Sequence, residues 1–456
     1  MVGISIFGTT MSAISYMAVP AKVYMTNWSY FTLAFAPVLF SPFIIYFLIP
    51  NLRKYNLTSA YEYLEYRFNV VIRTLGSGIF ISFQIVRMAV MLFLPAIALN
   101  VVTNFDIYLC ITVVGVVSLV YTMFGGIEAV IWTDVLQVVI LIGGLILALA
   151  VISFNLDTSF VESARIAMAN HKTSLGSVAV NFKEPTFWTI LVSSFFLFVI
   201  PFSSDQSLVQ RYFVSKTDKE ASGGLWINAW LTLPCSILLF LLGVAFYLFY
   251  KANPTELSVV MDNNDSLLPW FLISQLPQGV SGLLIVAIFA ASMSSLSASM
   301  NAISAAWTTD FHERLFHCSK QSSLRTAKFV TLISGLFGIT VALAMVTWDI
   351  SSFWDEYNRL LGLLTSGLAG LFFLGILSKR ANSAGALIGL AVSIIVQMYV
   401  MDHKSVYILL YSGTGFVSCI VAGILGSYFF PAPVVKVPIK EEYITGAKED
   451  PINKII

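Results

Sequence analysis

Twelve runs of this chain are so long and so poor in charge that only one solvent suits them. Residues 222–250 carry no charged side chain at all, and residues 75–102 carry one, Arg87. Crossing a ~30 Å hydrocarbon core takes about 20 apolar residues in a helix, and a spanning backbone must satisfy its own polar groups. The runs lie near 1–21, 27–49, 75–102, 106–124, 127–155, 186–210, 222–250, 267–308, 324–347, 355–378, 383–401 and 405–430. They predict an all-α polytopic membrane protein with about 12 transmembrane segments. A content of 58% hydrophobic against 11% charged residues fits no soluble chain of this length. Residues 1–430 form one transmembrane domain on this reading, and 431–456 a polar tail.

Several function classes drop out early. A formal net charge of +1 offers nothing to nucleic acid. The cysteines at 110, 235, 318 and 419 are scattered, without metal-ligand spacing or a disulfide pattern. No catalytic triad, P-loop or zinc pattern occurs, so the chain is not expected to be an enzyme. Met1 opens directly into Val-Gly-Ile-Ser-Ile-Phe with no basic leader, unlike a signal peptide; the chain is expected to begin inside a helix. With the end before the first run in the cytoplasm, inner loops and tail hold 17 Lys and Arg and outer loops six. That positive-inside bias puts residues 431–456 in the cytoplasm.

Against this apolar background the polar residues stand out. Residues 287–306 are crowded with hydroxyls at membrane depth. Helical geometry gathers Ala291, Ser294, Ser295 and Ala298 on one face with Ser297 beside them. Hydroxyls are hard neutral ligands for a desolvated alkali cation; close helix packing is the plainer use of such residues. Arg87 costs roughly 2.5–3.5 kcal/mol to insert, so it should face a cavity or a partner. It either pairs with an internal acid or offers its fork to a ligand carboxylate. Asp134, in the fifth run, is a second intramembrane charge. In the first run Phe7-Gly-Thr-Thr-Met-Ser-Ala-Ile-Ser15 predicts an unwound helix whose freed carbonyls can bind a cation. Residues 58–69 read as an amphipathic helix lying on the cytoplasmic interface.

Together these pieces resemble the sodium/solute symporter family, the relatives of sodium–glucose symporters. The resemblance rests on Ser12-Ala-Ile-Ser-Tyr-Met-Ala-Val-Pro20, Ala60-Tyr-Glu-Tyr-Leu-Glu-Tyr-Arg-Phe68 and Tyr121-Thr-Met-Phe-Gly-Gly-Ile-Glu-Ala-Val-Ile-Trp-Thr-Asp134. Asp205-Gln-Ser-Leu-Val-Gln-Arg-Tyr212 and Ala290-Ala-Ser-Met-Ser-Ser-Leu-Ser-Ala-Ser299 extend it across almost the whole chain. Phe7 to Ser15 with Gln84-Ile-Val-Arg87-Met looks most like the bacterial sodium-coupled sialic acid symporters.

The resemblance implies a LeuT-type fold of two inverted five-helix repeats, about 1–155 and 186–378, with extra helices over 383–430. It implies a main sodium site of the Gly8, Met11 and Ala291 carbonyls with the Ser294 and Ser295 hydroxyls. It implies a second sodium site at Asp134, Ser294 and Ser297, although Ala298 stands where that site would gain another hydroxyl. Its substrate pocket maps onto Thr10, Ser12, Ser15 and Arg87, with Arg87 on the carboxylate; no glutamine occupies the second run (27–49) near Ala34, where the sialic acid subgroup has a pocket amide. The implied function is sodium-coupled import of a small carboxylated sugar by a monomer in the cell (inner) membrane. Another monocarboxylate, a neutral sugar, or an inactive fragment are the alternatives, since the amino-terminal part of the family pattern is missing and the chain is expected to be truncated there.

Overall fold

The long helices mostly start at a side chain that replaces a missing backbone partner. In the computed structural model Asn69 accepts from the Ile72 amide at 3.0 Å, and Thr186, Thr217, Ser352 and Asn382 cap later helices in the same way. Such caps hold about 1 kcal/mol each. The structure describes residues 3, 6–8, 11–55, 57–124, 127–156, 158–215, 217–254, 264–316, 320–348, 350 and 352–432, with side chains except at 124, 127–137, 214, 264, 278, 316, 320 and 321.

The described residues form helices in the order α1 Val19–Met25, α2 Trp28–Arg53 (partly 3-10 and π), α3 Glu62–Arg67, α4 Val70–Thr103, α5 Ile107–Phe124 and α6 Ile127–Asn155. Then come α7 Phe160–Ala169, α8 Phe187–Ser204, α9 Gln206–Val214, α10 Asp218–Ala252, α11 Leu267–Gln275 and α12 Gln278–Trp307. The series ends with α13 Lys320–Met345, α14 Phe353–Leu377, α15 Ser383–His403 and α16 Tyr411–Ser427. Among the described residues, ten helical stretches are long and apolar enough to cross a membrane. The other two expected runs are the shorter Ile107–Met123 and the broken helix that ends in α1. Large apolar side chains face outward in numbers no soluble surface carries: Val139, Ile146, Val286, Phe329, Ile395 and Met398 are all exposed.

Four expectations change. The run at 186–210 is not one helix but α8 and α9, parted at Asp205, whose backbone turns extended. Ser203 and Ser204 turn their hydroxyls back to the Ile200 carbonyl and Pro201 lies just ahead, so the helix end is weakened from both sides. The run at 267–308 is α11 and α12, separated at Pro277, which cannot donate to a continuing helix. The piece at 58–69 is a six-residue helix, and it does not lie free on an interface: Tyr63, Leu64 and Arg67 are buried. The segment between α6 and α8, expected as loop, contains α7.

Two apolar cores fill the bundle, and the first helix touches both ahead of its break. Ile6 belongs to a cluster with Ile44, Tyr61, Leu64 and Phe372; Phe7 and Met11 belong to one with Leu145, Ala287 and Ala291. α6, α12 and the first helix meet where Gly144 leaves room: a Cβ there would stand 2.2 Å from Leu284 and 2.8 Å from the Tyr16 hydroxyl.

One end of the bundle is basic and tied by buried ion pairs. The guanidinium of Arg73 meets Asp310 at 2.7 Å and Glu65 at 2.8 Å. Asp310, fully buried, also accepts from Ser59 and Ser77 at 2.9 Å each. Arg53, itself buried, pairs with the exposed Asp218 at 2.5 Å. Removing one partner of a buried pair costs about 3–5 kcal/mol because the other charge stays buried. Arg73→Ala should therefore lower the melting temperature of detergent-solubilised protein sharply. Arg73→Ala with Asp310→Asn should recover most of the loss. Equal melting of the single and double variants would mean the pair carries little.

Candidate functional site

The break in the first helix opens onto a cavity. Phe7 and Gly8 are helical, Met11 and Ser12 are not, and a π turn over Ile14–Ala18 restarts the helix. The Met11 amide still reaches the Phe7 carbonyl at 2.8 Å and the Tyr16 amide the Ser12 carbonyl at 3.1 Å. The predicted unwinding is therefore present at Met11 and Ser12. Ser12 and Ser15 line a cavity of about 290 Å³, near the lower end of the range for ligand sites.

Arg87, midway along α4, lines the same cavity. Its Nη1 donates to Asp205 Oδ2 at 3.1 Å, both side chains nearly buried, while its Nε is buried with no protein partner. Of the two sequence alternatives the internal acid is present, as Asp205, and the guanidinium also keeps one buried donor without a protein partner. The other Asp205 oxygen accepts from Gln84 Nε2 at 3.1 Å, from the Ser207 amide at 2.9 Å and from the Ser207 hydroxyl at 2.6 Å. Asn358 and Thr365 of α14 add polar groups, and Phe80, Phe83, Phe198, Trp354 and Tyr357 form apolar walls. Trp354 Nε1 is another buried donor without a protein partner. A neighbouring cavity of about 240 Å³ shares Ser15, Leu33, Pro37, Phe198 and Trp354 and reaches Lys22, Asn228 and Thr232.

The hydroxyl face lies apart from these walls, along α12. Gly8, Met11, Ala291, Ser294, Ser295 and Ser297 are all buried. Ser304, further along, donates to the Ala327 carbonyl at 2.8 Å, which is ordinary packing. Ser295 differs, as does Ser292 on the same helix: both hydroxyls are buried and meet no protein partner. Leaving such a group unmade costs about 1–3 kcal/mol, so ordinary packing does not account for either. Asp134 falls within α6, but its side chain lies outside the described residues, as does Thr10 altogether.

Sequence reasoning gave no role to Asp205, Trp354 or Asn358. Asp205 had a signal, an acid directly after Pro201-Phe-Ser-Ser within an apolar run. Asn358 and Trp354 had none, because only the fold turns their side of α14 to the cavity.

The architecture agrees with known proteins. The model of the sodium:solute symporter family matches residues 1–393. The chain belongs to that family. This family member is 36% identical to the sodium/sialic acid symporter of Aliivibrio fischeri over 94% of its own length and 85% of that relative. It is 35% identical to the one of Proteus mirabilis, over 94% and 87%. A solved sodium-coupled sialic acid symporter, in a substrate-bound outward-open state, superimposes with a TM-score of 0.87 at 33% identity, over 95% of this chain and 90% of that one. Mhp1, a nucleobase-cation-symport-1 family transporter, superimposes at 0.60 and 14% identity, which shows the shared fold alone. The protein is an all-helical LeuT-fold transporter, not an enzyme, and sodium is its coupling ion. The expected truncation at the amino-terminal end gains no support from either the structure or these comparisons.

At the end of the bundle away from the basic cluster, Lys22 of α1 pairs with Asp355 of α14 at 2.6 Å. Asp265 is buried beside them and accepts from the Phe353 amide at 3.0 Å. Burial pushes its carboxyl up to about 6; Asp355 adds to the rise, and the Phe353 amide and Lys22 oppose it. A raised folded pKa favours the neutral form, so this contribution to stability is full below the ordinary value near 3.8 and fades as pH rises through about 6. Asp265→Asn should thus gain melting temperature over the parent at pH 8, and the gain should shrink steadily below pH 6 and vanish only near pH 4. A difference that does not change with pH would show that Asp265 is charged throughout.

Proposed function

We propose that the chain imports a sialic-acid-type sugar acid together with sodium by alternating access. The observation that carries this reading is Arg87: a nearly buried guanidinium that lines the cavity at the broken helix and keeps an unspent donor. An arginine at such depth suits a planar carboxylate, which it can hold by two parallel bonds. Ser12, Ser15 and Thr10 supply hydroxyls for the sugar. The 36% identical relative is described as a sodium/sialic acid symporter, which supports the same substrate class.

Sodium is held in the main site by the carbonyls of Gly8, Met11 and Ala291 and the hydroxyls of Ser294 and Ser295. Asp134, Ser294 and Ser297 hold a second, weaker ion, since Ala298 adds no oxygen there. The repeats span about 1–155 and 186–378, with 383–430 as added helices. The basic end faces the cytoplasm with the tail from 431 onward, in the inner membrane, and the monomer is the transporting unit within the lipid bilayer.

Charge then sets the driving force. One sodium with a monoanion moves no net charge, and a tenfold sodium gradient supplies about 1.4 kcal/mol. A second sodium doubles that and adds about 2.3 kcal/mol per 100 mV. Uptake of N-acetylneuraminic acid into proteoliposomes should therefore require sodium and increase with an inside-negative potential. Its sodium Hill coefficient should exceed one and fall toward one in Asp134→Asn. Sodium-independent or voltage-independent uptake of the acid would sink this stoichiometry.

Ser294→Ala and Ser295→Ala each remove an oxygen that a desolvated ion cannot replace. Each should raise the sodium concentration for half-maximal uptake by tenfold or more while the melting temperature stays near the parent value. Unchanged sodium dependence in both would remove these hydroxyls from the ion site.

A further inference from the structure

Asp205 has an unequal pair of oxygens. Oδ1 is fully committed: it takes Gln84 Nε2, the Ser207 amide and the Ser207 hydroxyl, and so caps α9. Oδ2 accepts from Arg87 Nη1 at 3.1 Å. That contact is one-pronged, where a carboxylate free to choose its approach makes two. A carboxylate entering the cavity can take the fork without disturbing the cap.

We propose that Asp205 is a displaceable internal carboxylate that competes with the substrate for Arg87. The proposal rests on Arg87 being the acid-binding residue, as above. In the substrate-free site Asp205 keeps the buried arginine paired, which spares the cost of a lone charge. An acid displaces it; a neutral sugar, with no charge to offer the guanidinium, does not. During release Asp205 takes Arg87 back and expels the carboxylate.

The same residue sits on a mechanical junction. It is the break between α8 and α9, and its neighbour Gln206 accepts from the Ala60 amide at 2.7 Å. Ser59, next to Ala60, donates to Asp310 in the basic-end cluster at 2.9 Å. The Asp205 junction is therefore linked, through Gln206, Ala60 and Ser59, to the ion pairs that tie that end.

The test compares binding and transport. Asp205→Asn removes the competing charge and keeps a good helix cap; Asp205→Ser, another cap without charge, replaces it if the Asn variant does not fold. With N-acetylneuraminic acid in sodium buffer, the dissociation constant should fall about tenfold, while the maximal uptake rate falls at least tenfold because release is slowed. The methyl ester of the same sugar, which lacks the charge, should bind the variant and the parent alike. A weakened or unchanged acid affinity, or an equal shift for acid and ester, would overturn the proposal. Arg87→Ala separates the two levels: if it binds the acid as the parent does, the substrate site itself has been misassigned and the proposal goes with it. If it loses the acid while Asp205→Asn fails to tighten binding, only the role of Asp205 is wrong.

Discussion

A guanidinium in the middle of an apolar helix is the constraint around which the cavity is built. Hydrocarbon offers Arg87 nothing, so the fold must bring a counter-charge to it from elsewhere in the sequence. Asp205 is that charge, 118 residues away, and it reaches Arg87 because the helix carrying it stops there. A continuous helix would place residue 205 with helical backbone and leave Ser207 without its cap. The ion pair and the helix break are one feature, and the cavity forms around them.

The broken first helix is the second partner in this arrangement. Its non-helical residues Met11 and Ser12 are buried, and Ser12 lines the cavity, so the backbone opens inside the protein and not toward lipid. Irregular backbone at membrane depth survives only under that condition. The hydroxyls of Ser292 and Ser295 on α12 are buried without a protein partner, and each such group calls for an explanation; an ion at the proposed sodium site supplies one for Ser295.

Ion pairs hold both ends of the bundle, and they differ in kind. Arg73, Asp310, Glu65 and two serine hydroxyls make a buried, nearly saturated network at the basic end. Lys22 and Asp355 make a single, partly exposed pair at the other. Exposed pairs contribute about 0–1 kcal/mol, whereas breaking a buried one costs several. Breaking the Lys22 pair is thus the cheaper of the two.

Much of this was legible in the sequence. Apolar runs must become spanning helices, because backbone groups in lipid have no other partner. The polar stretch Phe7–Ser15 predicted a break that is present at Met11 and Ser12, and an intramembrane arginine had to meet a cavity or an acid. What sequence could not give was which, since the charge that answers Arg87 is remote along the chain. It also could not show that 186–210 and 267–308 are each two helices, because an apolar run has the same hydropathy whether bent or straight. Hydropathy is set by composition and so is written in the chain. The pairing of Arg87 with Asp205, the saturation of Asp310 and the solitude of Ser295 depend on distances between helices, and packing alone decides those.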